Sequence, residues 1–120
     1  MANKLEIEQW STQLRKGIAE LCVLAAIKRL EDTYGYQLVQ FLLEHEGLSF
    51  TESTVYPLLA RLEREGLLTV TSRPSPSGPA RRYYRITKLG EQALQAMLDQ
   101  WATVAKSIRN VTNFHPNGEP

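Results

Sequence analysis

Residues 51–87 read TESTVYPLLARLEREGLLTVTSRPSPSGPARRYYRIT, and this stretch decides the fold. Val55, Leu58, Leu59 and Leu62 recur at helical spacing, which predicts an amphipathic helix between Thr51 and Glu65. Gly66 ends it. Val70 among threonines predicts a short strand over Leu68–Ser72. The run from Arg73 to Pro79 is turn material, and Tyr83, Tyr84 and Ile86 suit a returning strand. The product is a helix followed by a β-hairpin with a long tip, after which Thr87 caps a further helix. Thr51 or Ser53 can cap the first of these helices. With Thr51, Pro57 deletes an intrahelical hydrogen bond and bends the helix slightly; with Ser53, only the first such bond is lost. The residues leave both open.

Upstream, Ile18, Leu21, Cys22, Leu24, Ala25 and Ile27 cover most of a helix surface between Gly17 and Leu30, so that helix is largely buried. Leu5, Trp10 and Leu14 suggest a short separate helix within residues 1–16. Glu31 to Gly35 breaks the pattern. Leu38, Val39, Leu42 and Leu43 resume it over Tyr36–Glu44, with Gly47 as a left-handed cap. Three helices followed by a hairpin is the order of a winged helix-turn-helix, in which the third helix enters the major groove of DNA and the hairpin touches the adjacent backbone. The expected fold is therefore mainly α with a small β-hairpin. It comprises a winged helix-turn-helix over residues 1–86, a dimerisation helix over 87–111 and a flexible tail over 112–120.

Charge points the same way. Arg73, Arg81, Arg82, Arg85 and Lys88 occur without an intervening acid, while the rest of the chain carries nine basic and thirteen acidic residues, a net of −4. A basic patch on an acidic protein is a footprint for phosphate. Arg81 and Arg82, at the end of the tip, are the leading phosphate ligands, followed by Arg73. Arg85 is expected to pair with an acid on a neighbouring helix. On the third helix, the face opposite the apolar stripe carries Ser53, Tyr56, Pro57, Ala60, Arg61 and Arg64. Small hydroxyls near its start reach base edges, and Tyr56 can donate to a phosphate. The plainer alternatives are a solvated amphipathic helix and arginines that blunt an exposed strand edge.

Leu94, Met97, Trp101, Val104, Ile108 and Val111 are spaced 3-4-3-4-3, a coiled-coil seam. From Thr87 to Asn110 the helix is ~36 Å long. Three short helices and a hairpin cannot cover it on every side, so a second copy of the chain is the expected partner, with Trp10 and Leu14 joining the interface. Twofold symmetry also suits two DNA half-sites. Trp101 reads as packing, or, where two seams diverge, as half of a sandwich for a flat aromatic ligand; Met97 lies one turn before it.

Other classes find no support. Ser75 and Ser77 have no His/Asp partners in a recognisable motif. Cys22 sits in an apolar stretch that disfavours a thiolate. His45 and His115 are far apart and beside no cysteine, so no zinc site of the usual kind is expected. Glu44, His45 and Glu46 point in different directions from a helix end and read as a solvated cap. No cofactor, metal or enzymatic activity is expected. The longest apolar run, Leu21–Ile27, is far shorter than the ~18 residues of a membrane span. Without a signal-like start, and with a single cysteine, a cytoplasmic location is expected.

Taken in order, several pieces form a specific set. They are Leu14-Arg15-Lys16-Gly17; Tyr34-Gly35-Tyr36 with Leu38; Ser53-Thr54-Val55-Tyr56-Pro57-Leu58-Leu59 with Arg61-Leu62-Glu63 and Gly66-Leu67-Leu68; and Arg82-Tyr83-Tyr84-Arg85-Ile86-Thr87 with Gly90. Over about residues 14–104 the chain resembles the PadR-like transcriptional regulators, in their short form with one C-terminal helix. The resemblance implies a homodimeric winged-helix repressor that binds an inverted-repeat operator in double-stranded DNA. It implies that Ser53, Thr54 and Tyr56 lie on the reading helix and that Arg81 and Arg82 lie on the wing. It also implies a small aromatic or lipophilic effector held at Trp101, with Met97 beside it. A proline-rich wing tip and a mostly apolar last helix depart from the family pattern, which bears on the wing's DNA contact and on the effector's chemistry. The rival reading is a winged-helix module that binds another protein and no operator.

Overall fold

The computed structural model describes residues 4–113 and residue 116; the side chain of Leu5, His115 and most of the 112–120 tail lie outside the described residues. The chain runs α1 (Lys4–Leu30), β1 (Thr33–Tyr34), α2 (Gly35–Leu43), α3 (Glu52–Arg64), β2 (Leu68–Ser75), β3 (Gly78–Ile86) and α4 (Lys88–Thr112). The core is where the apolar stripes meet: Val23, Leu24 and Ile27 of α1, Leu38 and Leu42 of α2, Val55, Leu59 and Leu62 of α3, Leu68 of β2 and Leu94 of α4 are all buried. Burial of this apolar surface is the main force holding the three helices and the sheet together.

Four local expectations are corrected. First, the two helices expected on either side of residue 16 are one continuous α1. A glycine inside a helix costs only about 1 kcal/mol relative to alanine, too little to break a long helix that packs along its length. Second, Glu31 to Gly35 is not simply a break: Thr33 and Tyr34 form a strand paired with Tyr84 and Tyr83, giving a three-stranded sheet in the order β1-β3-β2. A two-residue strand has no periodicity to betray it. Third, α2 starts at Gly35 and ends at Leu43, so Gly47 (φ +87°) turns the following loop rather than capping the helix itself. Fourth, the tip is far shorter than expected, because pairing continues to Ser75 opposite Gly78, with a bulge between Arg73 and Ser75. Pro74 is tolerated because β2 is an edge strand, where a missing N–H breaks no ladder bond.

The cap of α3 is Thr51, whose side chain accepts from the Thr54 N–H. Pro57 therefore lies well inside the helix and leaves the carbonyl of Ser53, an exposed residue, without its intrahelical donor. At the other end Gly66 (φ +79°) makes a full Schellman stop, with Leu67 N–H on the Leu62 carbonyl at 2.9 Å and Gly66 N–H on that of Glu63 at 3.0 Å. Thr87 caps α4 as expected. Its Oγ1 accepts from Gly90 N–H at 3.0 Å and donates to the Gly66 carbonyl at 2.7 Å, which ties the start of α4 to the end of α3. Gly90 is required here: a Cβ would fall on the Leu67 carbonyl oxygen.

Candidate nucleic-acid interface

With its apolar stripe buried, α3 leaves Ser53, Thr54, Tyr56, Ala60 and Arg64 exposed. The Thr51 hydroxyl lies 2.9 Å from Ser53 Oγ and donates to Thr54 Oγ1 at 3.1 Å. The hydroxyls expected to read bases are thus ordered by the cap while still facing solvent. Burial, then the nearby Glu52, push the Tyr56 hydroxyl above the usual phenol range. It stays protonated and able to donate to an anion. Arg61 is placed elsewhere: it donates to Glu20 of α1 at 3.0 Å and to Glu65 at 3.1 Å. Arg64 is exposed and makes no ion pair among the described residues, so it is the freer cation of this helix.

Three of the four wing arginines are not free of acids, contrary to the reading of an uncompensated run. Charge counted along the chain misses acids that folding brings from elsewhere. Arg73 Nη2 lies 2.6 Å from Asp32 in the turn after α1, and Arg85 Nε lies 3.5 Å from the same carboxylate. The partner of Arg85 is thus in a turn rather than on a helix. Arg82 donates to Glu63 of α3 at 2.8 Å. Among the described residues Arg81 has no carboxylate partner; its guanidinium sits 4.4 Å from the centre of the Tyr34 ring.

Between the start of α2, the flank of α3 and β3 lies an open cleft of 570 Å³, lined by Tyr34, Gly35, Tyr36, Tyr56, Ala60, Arg81, Arg82 and Tyr84 among others. Gly35 makes this close approach workable, since a Cβ there would strike the Tyr56 ring. The cleft brings Tyr56 of α3 beside Arg81 and Arg82 of the wing, as a shared phosphate site requires. Sequence reasoning left Tyr34 and Tyr36 unassigned. The available signal was their position on either side of a glycine at a helix start.

The seam divides into two parts. Leu94 is buried in the protomer's own core and Met97 is half-buried, whereas Trp101 (44% exposed), Val104, Ile108 and Val111 are open. Ile7, Trp10 and Leu14 of α1 are also exposed. Trp101, Met97 and Val104 border a 310 Å³ groove with Gly17, Ile18 and Leu21 of α1. Burial pushes the Cys22 thiol up, away from reactivity. Among the described residues no helix is long and apolar enough to cross a membrane, and no cluster of three or more His, Cys, Asp or Glu side chains could hold a metal.

Residues 23–96 match the model of the transcriptional regulator PadR-like family. The chain is 43% identical over 63 residues to transcriptional regulator Rv3488 of Mycobacterium tuberculosis, covering 52% of this chain and 57% of that protein. Among solved structures, a PadR family transcriptional regulator from Eggerthella lenta aligns with a TM-score of 0.82 at 31% identity, over 91% of this chain and 94% of the other. A PadR-like regulator from Bacillus cereus aligns at 0.74 and 35% identity, over 86% and 99%.

Proposed function

This chain belongs to the PadR-like family of transcriptional regulators, and from that premise we propose that it is a homodimeric repressor of an inverted-repeat operator. The family is one of regulators and not of enzymes, and its winged helix serves DNA-binding regulation. The observation that carries the finer reading is the cleft that brings α3 and the wing together, with Tyr56, Arg81 and Arg82 converging on it. Ser53 and Thr54 lie toward the start of α3, where side chains meet base edges in a helix-turn-helix. Arg81, Arg82 and Arg64 supply cations for the flanking phosphates.

Dimerisation is supported by the row of exposed apolar residues Trp101, Val104, Ile108 and Val111 along α4, together with the exposed Trp10 and Leu14 of α1. Two copies joined there would present their reading helices about one turn of B-DNA apart, ~34 Å. Arg61, held by two carboxylates, and Arg73, held by the half-buried Asp32, serve chiefly to fix α3 and the wing, whereas the more exposed Arg82–Glu63 pair can open to a phosphate. Trp101 and Met97 border a groove that suits a flat aromatic or lipophilic effector, and such a ligand would alter the spacing of the two reading helices.

The test is selection of random double-stranded DNA by the purified protein at moderate salt. Recovery of an inverted repeat supports the reading. With about three phosphates neutralised per subunit, log K against log salt should fall with a slope near −5. Unselective recovery by a confirmed dimer, with or without planar aromatics present, refutes operator recognition.

A further inference from the structure

We propose that Asp32 is the positioning residue of the wing: one carboxylate grips both hairpin strands and, through a stack of side chains, sets Arg81 for the DNA backbone. The proposal rests on the DNA-binding reading above and deepens it.

The need for such a residue follows from the sheet. β1 pairs with β3 at Tyr84 and Tyr83, so among the described residues β3 has no strand on that side from Arg82 outward. The distal hairpin is therefore held to the body by side chains. On the sheet face that carries Arg82, the contact is its largely exposed bond to Glu63 of α3, which a phosphate would displace. On the opposite face lie Arg73, Arg81, Tyr83 and Arg85, which share one side by strand alternation and by the pairing of Arg73 with Arg81. There the link is Asp32. Its Oδ2 takes Arg73 of β2 and its Oδ1 faces Arg85 of β3.

That carboxylate is itself held firmly. Glu31, the one non-glycine residue with positive φ (69°) among the described residues, turns the chain sharply after α1. The Asp32 N–H then donates to the Leu30 carbonyl at 2.8 Å. Asp32 Oδ1 is fully buried and has no hydrogen-bond partner among the described residues, so the charges of the two arginines are what compensate it. From Asp32 the contacts run outward without a gap. Arg73 lies 4.3 Å from the centre of the Tyr83 ring, Tyr83 meets the Tyr34 ring edge-on at 5.3 Å, and Arg81 lies 4.4 Å from the centre of Tyr34. Each guanidinium-on-ring contact fixes both members. Arg81 thus reaches the cleft in an orientation decided at Asp32, which itself lines no part of it. Arg73, on this reading, is a tether and not a DNA ligand.

The experiment compares the intact protein with Asp32→Asn, Arg73→Gln and the double variant. Each is titrated with one mixed-sequence DNA duplex across a range of salt, alongside thermal unfolding. Arg73→Gln cuts the same link without touching the turn after α1, so it keeps the test open should Asp32→Asn fold poorly. The expected result is about tenfold weaker binding for each single variant. The salt slope should be shallower by about two, because each of two wings loses one phosphate contact. The double variant should be no weaker than either single one. An unchanged slope in folded single variants overturns the proposal. Additive losses in the double variant also overturn it, since they make Arg73 a phosphate ligand in its own right. No binding by the intact protein defeats the DNA-binding reading itself, a different result from either.

Discussion

Replacing Glu63 by glutamine should tighten DNA binding. In the free protein Arg82 spends a hydrogen bond of 2.8 Å on Glu63 Oε1, in a pair whose side chains are 57% and 39% exposed. An exposed pair of this kind stabilises the fold by at most about 1 kcal/mol. A DNA phosphate must displace that carboxylate, and afterwards Glu63 remains nearby as a like charge. Glu63→Gln removes both penalties at little cost to the fold. The gain should be up to about 1 kcal/mol per wing, and thus up to about 2 kcal/mol for two wings, or roughly thirtyfold in affinity. Gel-shift or fluorescence-anisotropy titrations at two salt concentrations read it, and the gain should appear on specific and random duplexes alike because phosphates carry no sequence information. Weaker binding by a fully folded Glu63→Gln would refute the reasoning. It would mean that the carboxylate aims Arg82 at the DNA and does not compete for it.

Further outcomes follow from other contacts. Tyr36→Phe should weaken all duplexes a few-fold while leaving the salt slope unchanged, since a neutral hydroxyl releases no counterions; a change in slope in anisotropy titrations would contradict this. Ser53→Ala should alter the ranking of operator variants, and a uniform loss across them would remove Ser53 from base reading. Gly90→Ala forces a methyl onto the Leu67 carbonyl and should cost about 1–3 kcal/mol, measured by urea unfolding. Trp101→Ala should weaken self-association by about 2 kcal/mol or more, seen as concentration-dependent sedimentation at lower mass.

The parts of the molecule legible in its sequence are those governed by local pattern. The stripe of α3, the Gly66 stop, the Thr87 cap and the exposed apolar row from Trp101 to Val111 all follow from spacing within a single element. What escaped is non-local. No local pattern reveals that Thr33 and Tyr34 pair with β3, or that Asp32 and Glu63 meet arginines some 19 to 53 positions away. The same blindness made the wing look like uncompensated charge. Arg61 pointed outward on a helical wheel, yet Glu20 of another helix claims it. The extension of the hairpin through three prolines ran against turn chemistry, and it became possible only because the outer segments of both strands have a free side.

The unbroken course of α1 has a mechanical consequence. Its 27 residues form a rod about 40 Å long. Its early turns expose Trp10 and Leu14, its middle borders the Trp101 groove, and its final residue is followed at once by the turn that bears Asp32. No proline or loop interrupts it to absorb a displacement. A tilt of about 3° pivoting at the start of such a rod shifts its far end by about 2 Å. That shift is comparable to the whole length of the Asp32–Arg73 contact. A wedge seated near Trp101 would thus be felt at the wing, because the rod carries the motion onward together with the core side chains of Val23, Leu24 and Ile27 that it bears.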